Sequence, residues 1–273
     1  MMSDVTFGKY YPSSSFVHKM DARAKLILLI LYIVTIFVVK NFYGFLCVAS
    51  FLALAVAAAR IPVTKILRSM RAVLFVILLT VVLNVFFYQS KTQTILWSFK
   101  FIKITKEALL FSAFMAVRLL LLVVGSSLLN LTTTPVALTD GIESLLAPLK
   151  IIKFPVHELA LVMSIALRFI PILASEADRI INAQKARGAD FESGNLISRA
   201  KAMIPVLVPL LVSAFRRADE LGDAMDARCY SGSTVRTKYK KAKLGYRDFL
   251  GAFITLAALA GVIVLNAFTG AAV

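Results

Sequence analysis

The amino-acid sequence predicts an all-α, polytopic membrane protein with about five transmembrane helices and long amphipathic helices at the cytoplasmic face. Hydrophobic residues make up 59% of the 273 positions and charged residues 17%, and the mean hydropathy is +0.82. Soluble domains are roughly 45–50% apolar and about 25% charged. A chain of 29.9 kDa cannot bury this much apolar surface by itself, so lipid must solvate part of it. The composition therefore excludes a soluble enzyme.

Five apolar runs, bordered by basic residues, predict the membrane spans. They cover residues 26–39, 45–59, 72–88, 108–131 and 249–268. The first two are shorter than the ~20 residues that cross the hydrocarbon core of a bilayer, and a tight turn is expected between them. We therefore expect a membrane region with four spans in residues 1–131 and a C-terminal transmembrane helix in residues 247–273.

The basic residues also predict the orientation in the plasma membrane. Clusters of Lys and Arg precede the first span and separate the second from the third. Because such clusters stay on the cytoplasmic side, the N-terminus is expected to be cytoplasmic. Four lysines then fall on the outer side, against the rule, and we expect an interfacial loop there that also contains Trp97, Phe99 and Phe101. These lysines are Lys91, Lys100, Lys103 and Lys106.

The charge balance predicts acidic partners. The chain has 31 Lys and Arg against 15 Asp and Glu, a formal net charge of +16. No acidic residue lies between Asp21 and Glu107, so the basic groups of the first three spans have no counter-charge nearby in the sequence. In a membrane protein, anionic lipid head groups are the expected partners, at about 1 kcal/mol per Lys or Arg near the surface. We do not expect nucleic acid as a partner.

Residues 132–246 differ from the rest of the chain, because they hold most of its charges. Their apolar stretches have a helical pattern but are interrupted, the first by Glu158, Arg168 and Pro171 and the second by Pro205 and Pro209. A sixth transmembrane helix over residues 154–174 is the alternative. It would place charges that cost about 2.5–3.5 kcal/mol each at the centre of the bilayer. We therefore expect a cytoplasmic region of long amphipathic helices.

Two segments of this region, residues 177–188 and 218–229, repeat one pattern at an offset of 41 residues. Ala, Asp, an aliphatic residue, Ala, Ala and Arg recur at the same positions. Each copy ends in Ala-Arg followed by a small residue, and each predicts the end of a long helix. The two ends are Ala186, Arg187 and Gly188 in the first copy, and Ala227, Arg228 and Cys229 in the second.

The chemistry of such a helix end suits docking into a groove. Alanines leave a smooth stem, and an arginine in the last turn complements the negative end of the helix dipole. Its guanidinium can make forked hydrogen bonds to carboxylates or carbonyls of a partner. Gly188 can close its helix in the left-handed conformation, whereas Cys229 adopts it less readily, so we expect the second helix to close at Gly232. Capping alone is the alternative interpretation, but two copies favour two similar partner subunits or a pseudo-twofold dimer.

Motifs of catalysis are absent from the sequence. There is no phosphate-binding G-x-x-x-x-G-K-[ST] loop, no H-E-x-x-H and no G-x-S-x-G. Asp219 and Glu220 are expected to be solvated rather than a catalytic dyad, and Asp21 is expected to cap the first helix. Arg118 lies within a span, where it is either a hydrogen-bonded structural residue or part of a substrate path. We expect no cofactor and no bound metal.

Several motifs together resemble the transmembrane T component of energy-coupling factor (ECF) transporters. The two Ala-Arg-x ends are the most specific of them, and the resemblance covers nearly the whole chain. One departure is Ala22, where the family commonly has proline. The other motifs are Tyr10-Tyr11-Pro12, His18 through Leu26, Thr132 through Pro135, Leu138 through Glu143, Arg168 through Pro171, and Arg236 through Tyr239.

The resemblance implies a non-catalytic coupling subunit of an importer. It would sit between two ABC-type ATPases, which hydrolyse ATP, and a small membrane protein, the S component, which captures a vitamin or other micronutrient. Arg187 and Arg228 would each dock into one ATPase. Apolar residues of the second long helix would contact the S component. They are Ile204, Pro205, Leu207, Pro209 and Leu211, with Val206, Leu210 and Val212 among the same apolar set.

Two other functions remain open from the sequence. One is a dedicated cobalt or nickel T component, although the Arg-Cys-Tyr form of the second end resembles shared modules more closely. The other is a self-contained secondary transporter in which Arg118 and Arg168 bind an anionic substrate. The scarcity of acidic and histidine side chains in the spans counts against proton coupling. A membrane enzyme has no nucleophile or metal constellation to support it.

Overall fold

The computed structural model describes residues 10–87, 95–99, 102–152, 154–191, 195–230, 232 and 245–269. Within these ranges the chain forms eight α-helices, one short 3-10 helix and one pair of strands. The helices are α1 (Ala22–Val38), α2 (Phe42–Ala59), α3 (Val63–Phe87), α4 (Lys106–Thr132), α5 (Pro135–Leu146), α6 (Val156–Ala186), α7 (Leu196–Ala227) and α8 (Tyr246–Thr269). The 3-10 helix is Ala147–Ile152, and the strands are β1 (Ile95–Phe99) and β2 (Ile102–Thr105).

The chain packs as two units. The first unit, which we call the bundle, comprises the described residues up to 148 and those from 245 onwards. It contains α1 to α5 and α8. The second, which we call the helix pair, comprises the described residues between 149 and 232 and consists mainly of α6 and α7. The all-α membrane architecture predicted from the composition is confirmed.

Helix α1 lies at the centre of the bundle, where it contacts α2, α4, α5 and α8. Its buried residues are Lys25, Tyr32, Thr35 and Ile36, of which Tyr32 and Ile36 pack against buried apolar residues of the neighbouring helices. Only one face of α1 is covered by protein, and residues such as Phe37 stay exposed on the other face. An apolar surface of this kind can face lipid and does not have to be covered by other helices. The central cluster consists of Tyr32, Ile36, Val39, Phe45, Val48, Leu52, Phe114, Leu121 and Val262.

The start of α1 is held by α8. Asp21 caps the helix, because its Oδ1 accepts a hydrogen bond from the backbone N–H of Arg23 at 3.0 Å. The predicted cap is thus confirmed. The backbone N–H of Asp21 in turn donates to Oδ1 of Asp248 at 2.9 Å, and Oδ2 of Asp248 accepts from Gly245 at 2.8 Å. One carboxylate therefore joins the starts of two helices that are far apart in the sequence.

A buried lysine ties α1 to the end of α4. Lys25 is only 7% exposed. Its ammonium group donates to the carbonyl oxygen of Thr132 at 2.9 Å, to Oγ1 of Thr133 at 3.3 Å and to the carbonyl oxygen of His18 at 3.4 Å. All three of its N–H groups thus have acceptors, which satisfies a charge that would otherwise be costly to bury.

The turn before α1 contains a neutral histidine. His18 Nε2 lies 2.9 Å from the carbonyl oxygen of Tyr11, which can only accept, and Nδ1 lies 2.7 Å from Oγ of Ser15. The ring therefore donates from Nε2, and in its neutral form it accepts at Nδ1 from the hydroxyl of Ser15. Burial lowers the pKa of His18 below its usual value, and the nearby charge of Lys25 acts in the same direction.

Five described helices are long and apolar enough to cross a membrane, namely α2, α4, α6, α7 and α8. Helix α3 joins them as a sixth if its two parts, which meet at an angle of 57°, form one span. Helix α1 has 17 residues and is about 25 Å long, slightly less than the ~30 Å hydrocarbon core. Length and composition therefore leave α6 and α7 open to either location, and their expected cytoplasmic position stays a prediction.

The segment before α4 forms an antiparallel pair of strands instead of the expected loop. Ile102 pairs with Phe99 and Thr105 with Ile95, with an irregularity in register between Ile95 and Trp97. Apolar residues at every second position of β1, namely Ile95, Trp97 and Phe99, are typical of a strand, so the sequence already contained this signal. Lys91, Lys100 and Phe101, which were expected in the same interfacial loop, lie outside the described residues.

Candidate functional site

The candidate site consists of the two helix ends in the helix pair. We call Ala186, Arg187 and Gly188 the first tip, and Ala227, Arg228 and Cys229 the second tip. The first tip closes α6 with two backbone hydrogen bonds. The N–H of Gly188 donates to the carbonyl oxygen of Lys185, and the N–H of Ala189 donates to that of Gln184, both at 3.0 Å. Gly188 has a φ of 87°, in the left-handed region that glycine favours. This is the Schellman closure of a helix.

The second tip has the same backbone geometry. The N–H of Cys229 donates to the carbonyl oxygen of Asp226 at 2.8 Å, and the N–H of Tyr230 donates to that of Met225 at 3.0 Å. Cys229 itself has a φ of 54°. The expectation that the second helix closes at Gly232 is therefore wrong. The two hydrogen bonds of the closure offset the left-handed strain of a residue with a Cβ, which amounts to about 1–2 kcal/mol.

Both arginines of the tips are free to meet a partner. Arg187 and Arg228 are exposed, and neither guanidinium makes a hydrogen bond or ion pair with any residue that the structure describes. Each arginine follows the last helical residue, where the final carbonyl groups of the helix give a partial negative charge. The two tips are thus equivalent in sequence, in backbone closure and in exposure.

An ion pair joins the two helices upstream of the tips. Nη2 of Arg217 in α7 lies 3.3 Å from Oε2 of Glu176 in α6. Sequence reasoning missed this pair. The signal was present, because Glu176 and Arg217 are the residues directly before the two repeated segments and are also 41 positions apart.

The residues expected to contact an S component lie on α7. Ile204, Leu207 and Leu211 are 54%, 55% and 59% exposed, and Pro205 and Pro209 are exposed as well. These five residues therefore form an apolar surface on the helix pair. Three further residues were expected in the same set. Val212 is 54% exposed and Leu210 half-buried, but Val206 is 2% exposed. Val206 is unable to contact a partner because it is already buried.

Arg118 binds the end of α1. Its Nη2 donates to the carbonyl oxygen of Val39 at 3.1 Å. Its guanidinium also lies over the rings of Phe114, Phe37 and Phe45, at 5.4, 5.7 and 5.9 Å from their centres. Val39 follows the last residue of α1 and is 1% exposed, so Arg118 supplies a donor to a buried carbonyl group at the end of this helix. The arrangement is that of a structural arginine held by cation–π contacts and one carbonyl group.

Metal chemistry has no support in the part of the chain that the structure describes, since no three His, Cys, Asp or Glu residues lie close enough there to hold an ion. The two cysteines, Cys47 and Cys229, are both free thiols. Arg236 through Tyr239, which contributed to the resemblance to T components, lie outside the described residues.

Comparison with known proteins decides the family. Residues 13–239 match the model of the family CbiQ, described as cobalt transport protein. The chain belongs to this family, which contains the ECF T components. It is 48% identical over 266 residues to the energy-coupling factor transporter transmembrane protein EcfT of Ruminiclostridium cellulolyticum, covering 97% of this chain and 98% of the relative. The proteins of the same name from Clostridium kluyveri and Bacillus subtilis are 47% and 42% identical, over 94% and 95% of this chain and 94% and 98% of the relatives.

Membership in this family, together with five apolar helices, makes the chain a multi-pass membrane component of an ECF transporter. Such a component works in a complex with other subunits and is itself non-catalytic. The predicted family, the membrane location and the transport function are confirmed at this level.

Proposed function

We propose that this T component transmits the movement of two ABC-type ATPases to a substrate-capturing S component. The first tip docks into one ATPase and the second tip into the other, with Arg187 and Arg228 as the principal contacts. The observation that carries the proposal is the equivalence of the tips. Two exposed arginines that have no partner among the described residues, at matching helix closures, suit two similar sockets, and an arginine fork suits carboxylates or carbonyls lining them.

The spacing of the tips supports two separate partners. Each tip arginine follows its member of the Glu176–Arg217 pair by eleven residues, about 16 Å of helix. Leu196, at the start of α7, precedes Arg217 by about 32 Å of helix. The connection from Arg187 to Leu196 has nine residue steps, so these two residues can be at most about 32 Å apart. If α7 kept a straight course through Pro205 and Pro209, these lengths would make the segments of α6 and α7 between the ion pair and the tips diverge by more than ~100°. The two tips are then at least about 25 Å apart.

The apolar surface of α7 supports contact with an S component in the membrane. Ile204, Leu207 and Leu211 are exposed, and Pro205 and Pro209 each remove a backbone hydrogen bond and allow the helix to bend. When the ATPases close on ATP, the tips are carried with them. The apolar surface then shifts against the S component, which releases its vitamin or micronutrient. Anionic lipids bind the basic residues at the cytoplasmic ends of the spans, and the N-terminus is cytoplasmic.

The names of the relatives favour a shared ECF module over a dedicated cobalt or nickel system. All three relatives compared above are named energy-coupling factor transporter proteins, whereas cobalt appears only in the description of the wider family. A self-contained secondary transporter is disfavoured by Arg118. Its guanidinium donates to the carbonyl oxygen of Val39 and lies over three aromatic rings, an arrangement that favours a structural role over binding of an anionic substrate.

Alanine substitution of the tip arginines tests the proposal. Arg187→Ala and Arg228→Ala are each expected to weaken binding of the ATPases at least ~30-fold, about 2 kcal/mol for a buried arginine anchor. The double variant is expected to lose both co-purification of ATPases and uptake. Arg179→Ala and Arg216→Ala remove the same charge from exposed sites away from the tips and should change neither. A double variant that keeps both ATPases and full uptake would refute the proposal.

A further inference from the structure

We propose that the Glu176–Arg217 ion pair is the pivot that holds α6 and α7 crossed and sets the distance between the two tips. The inference rests on the proposed function, since it concerns how movement at the tips reaches the rest of the helix pair. Its starting point is that the two members of the pair occupy equivalent positions of the internal repeat, 41 residues apart.

Equivalent residues of two helices meet where the helices cross on an axis of twofold pseudosymmetry. At such a point each helix presents the same repeat position to the other. A strict repeat would place identical side chains together, and two identical charges would repel each other. The flanking repeat residues are identical in the two copies, Ala177-Asp178 and Ala218-Asp219. The position before them has instead diverged to opposite charges, which turns a repulsive contact into an attractive one.

The pair is also placed symmetrically with respect to the tips. Each member precedes its own tip arginine by eleven residues. The helical segments between the ion pair and the tips, which we call the arms, therefore have equal length, about three helical turns each. Equal displacements of the two ATPases would then rotate the two helices about the crossing by equal amounts. A rigid crossing passes that movement on to the apolar surface of α7, whereas a loose crossing allows each tip to move alone.

The environment of the pair supports a defined contact. The side chains of Arg217 and Glu176 are 35% and 27% exposed, so neither is fully solvated. A fully exposed ion pair adds little, but a partly covered one that spans two elements restricts their relative rotation. The neighbouring Arg216 and Glu220 are exposed and make no hydrogen bond or ion pair with the residues described. They provide matched controls for a change of charge.

Charge reversal tests the pivot in the full chain within its complex. Spin labels at Ala183→Cys and Ala224→Cys, equivalent exposed positions before the tips, report the distance between the arms. Every variant carries Cys47→Ala and Cys229→Gly, so that only these two sites are labelled. Uptake and co-purification of ATPases are measured in parallel on unlabelled variants.

Glu176→Arg or Arg217→Glu alone is expected to broaden the distance distribution and to reduce uptake roughly fivefold, the equivalent of about 1 kcal/mol at the pair. The double variant, with the charges exchanged, should restore both. The controls Glu220→Arg and Arg216→Glu should change neither. All variants should retain their ATPases, because Arg187 and Arg228 are unchanged and Cys229→Gly gives the second tip the residue that closes the first. Loss of ATPases from Arg187→Ala and Arg228→Ala is a separate result, so the two proposals fail independently.

A double variant as defective as the single ones, or single variants that match the controls, would overturn the pivot.

Discussion

The two tips allow a matched test of their backbone closure, since one has glycine and the other cysteine in the same left-handed conformation. The perturbations are Gly188→Ala and Cys229→Gly. A Cβ added at Gly188 would meet no atom within 4 Å, so the change introduces no steric clash. Its effect comes only from the backbone, whose φ there is 87°.

The magnitude follows from two opposing effects. A residue with a Cβ in the left-handed region costs about 1–2 kcal/mol. Alanine also restricts the unfolded chain, which returns roughly 0.4–1 kcal/mol. Gly188→Ala is therefore expected to destabilise the first closure by about 1 kcal/mol, and Cys229→Gly to stabilise the second by a similar amount. These values correspond to roughly fivefold more opening at the first tip and fivefold less at the second.

Hydrogen exchange measures this opening directly. The amide of Ala189 donates to Gln184 and the amide of Tyr230 donates to Met225, so each exchanges only when its own closure opens. Gly188→Ala should accelerate exchange at Ala189 and leave Tyr230 unchanged, and Cys229→Gly should slow exchange at Tyr230 alone. Equal exchange in the variants and the parent chain, or a faster rate in Cys229→Gly, would refute the assignment of strain to these positions.

Three further predictions concern the bundle. Gly125→Ala places a Cβ against the ring of Tyr32 and should destabilise the bundle by about 1–3 kcal/mol in thermal denaturation, whereas the control Gly222→Ala, in open space on α7 of the helix pair, should stabilise that unit slightly. Lys25→Met leaves three acceptors without a donor and should cost about 1–3 kcal/mol by the same assay, and unchanged stability would contradict the role of its hydrogen bonds. Because burial lowers the pKa of His18, the unfolded chain protonates first as the pH falls below about 6.5, and stability is lost there. The stability difference between the parent chain and His18→Ala should therefore shrink from about pH 7 to about pH 5, and a constant difference would contradict the neutral ring.

The apolar runs predicted the helices of the bundle well where a run extends over nearly the whole helix. The observed α2, Phe42–Ala59, and α8, Tyr246–Thr269, begin only three residues before the predicted runs 45–59 and 249–268. Helix α3 begins at Val63, nine residues before the run at 72–88, because it starts with a charged segment. Lys and Arg favour a position outside the lipid but are good helix formers, so a helix can begin before its apolar run. Hydropathy alone therefore cannot locate the first residue of α3.

The features that sequence reasoning missed depend on contacts between distant residues. Arg118 could not be assigned because its acceptor, the carbonyl oxygen of Val39, is 79 positions away. Cys229 closes its helix in a conformation that residue preference assigns to glycine, and the hydrogen bonds of the closure decide the outcome. The repeat itself was visible, but only the packing of α6 against α7 brings Glu176 and Arg217 together.

The central claim is that each tip is held by a different ATPase, and site-specific photocrosslinking tests it most directly. A photoreactive amino acid is placed at Ala183, at Ala224 or at both, which leaves the tip arginines intact. Each single site should crosslink to one ATPase subunit, and the double site should give a product that contains two ATPase subunits per chain. Crosslinks from both sites to a single ATPase subunit, or no crosslink to an ATPase from either, would contradict the account.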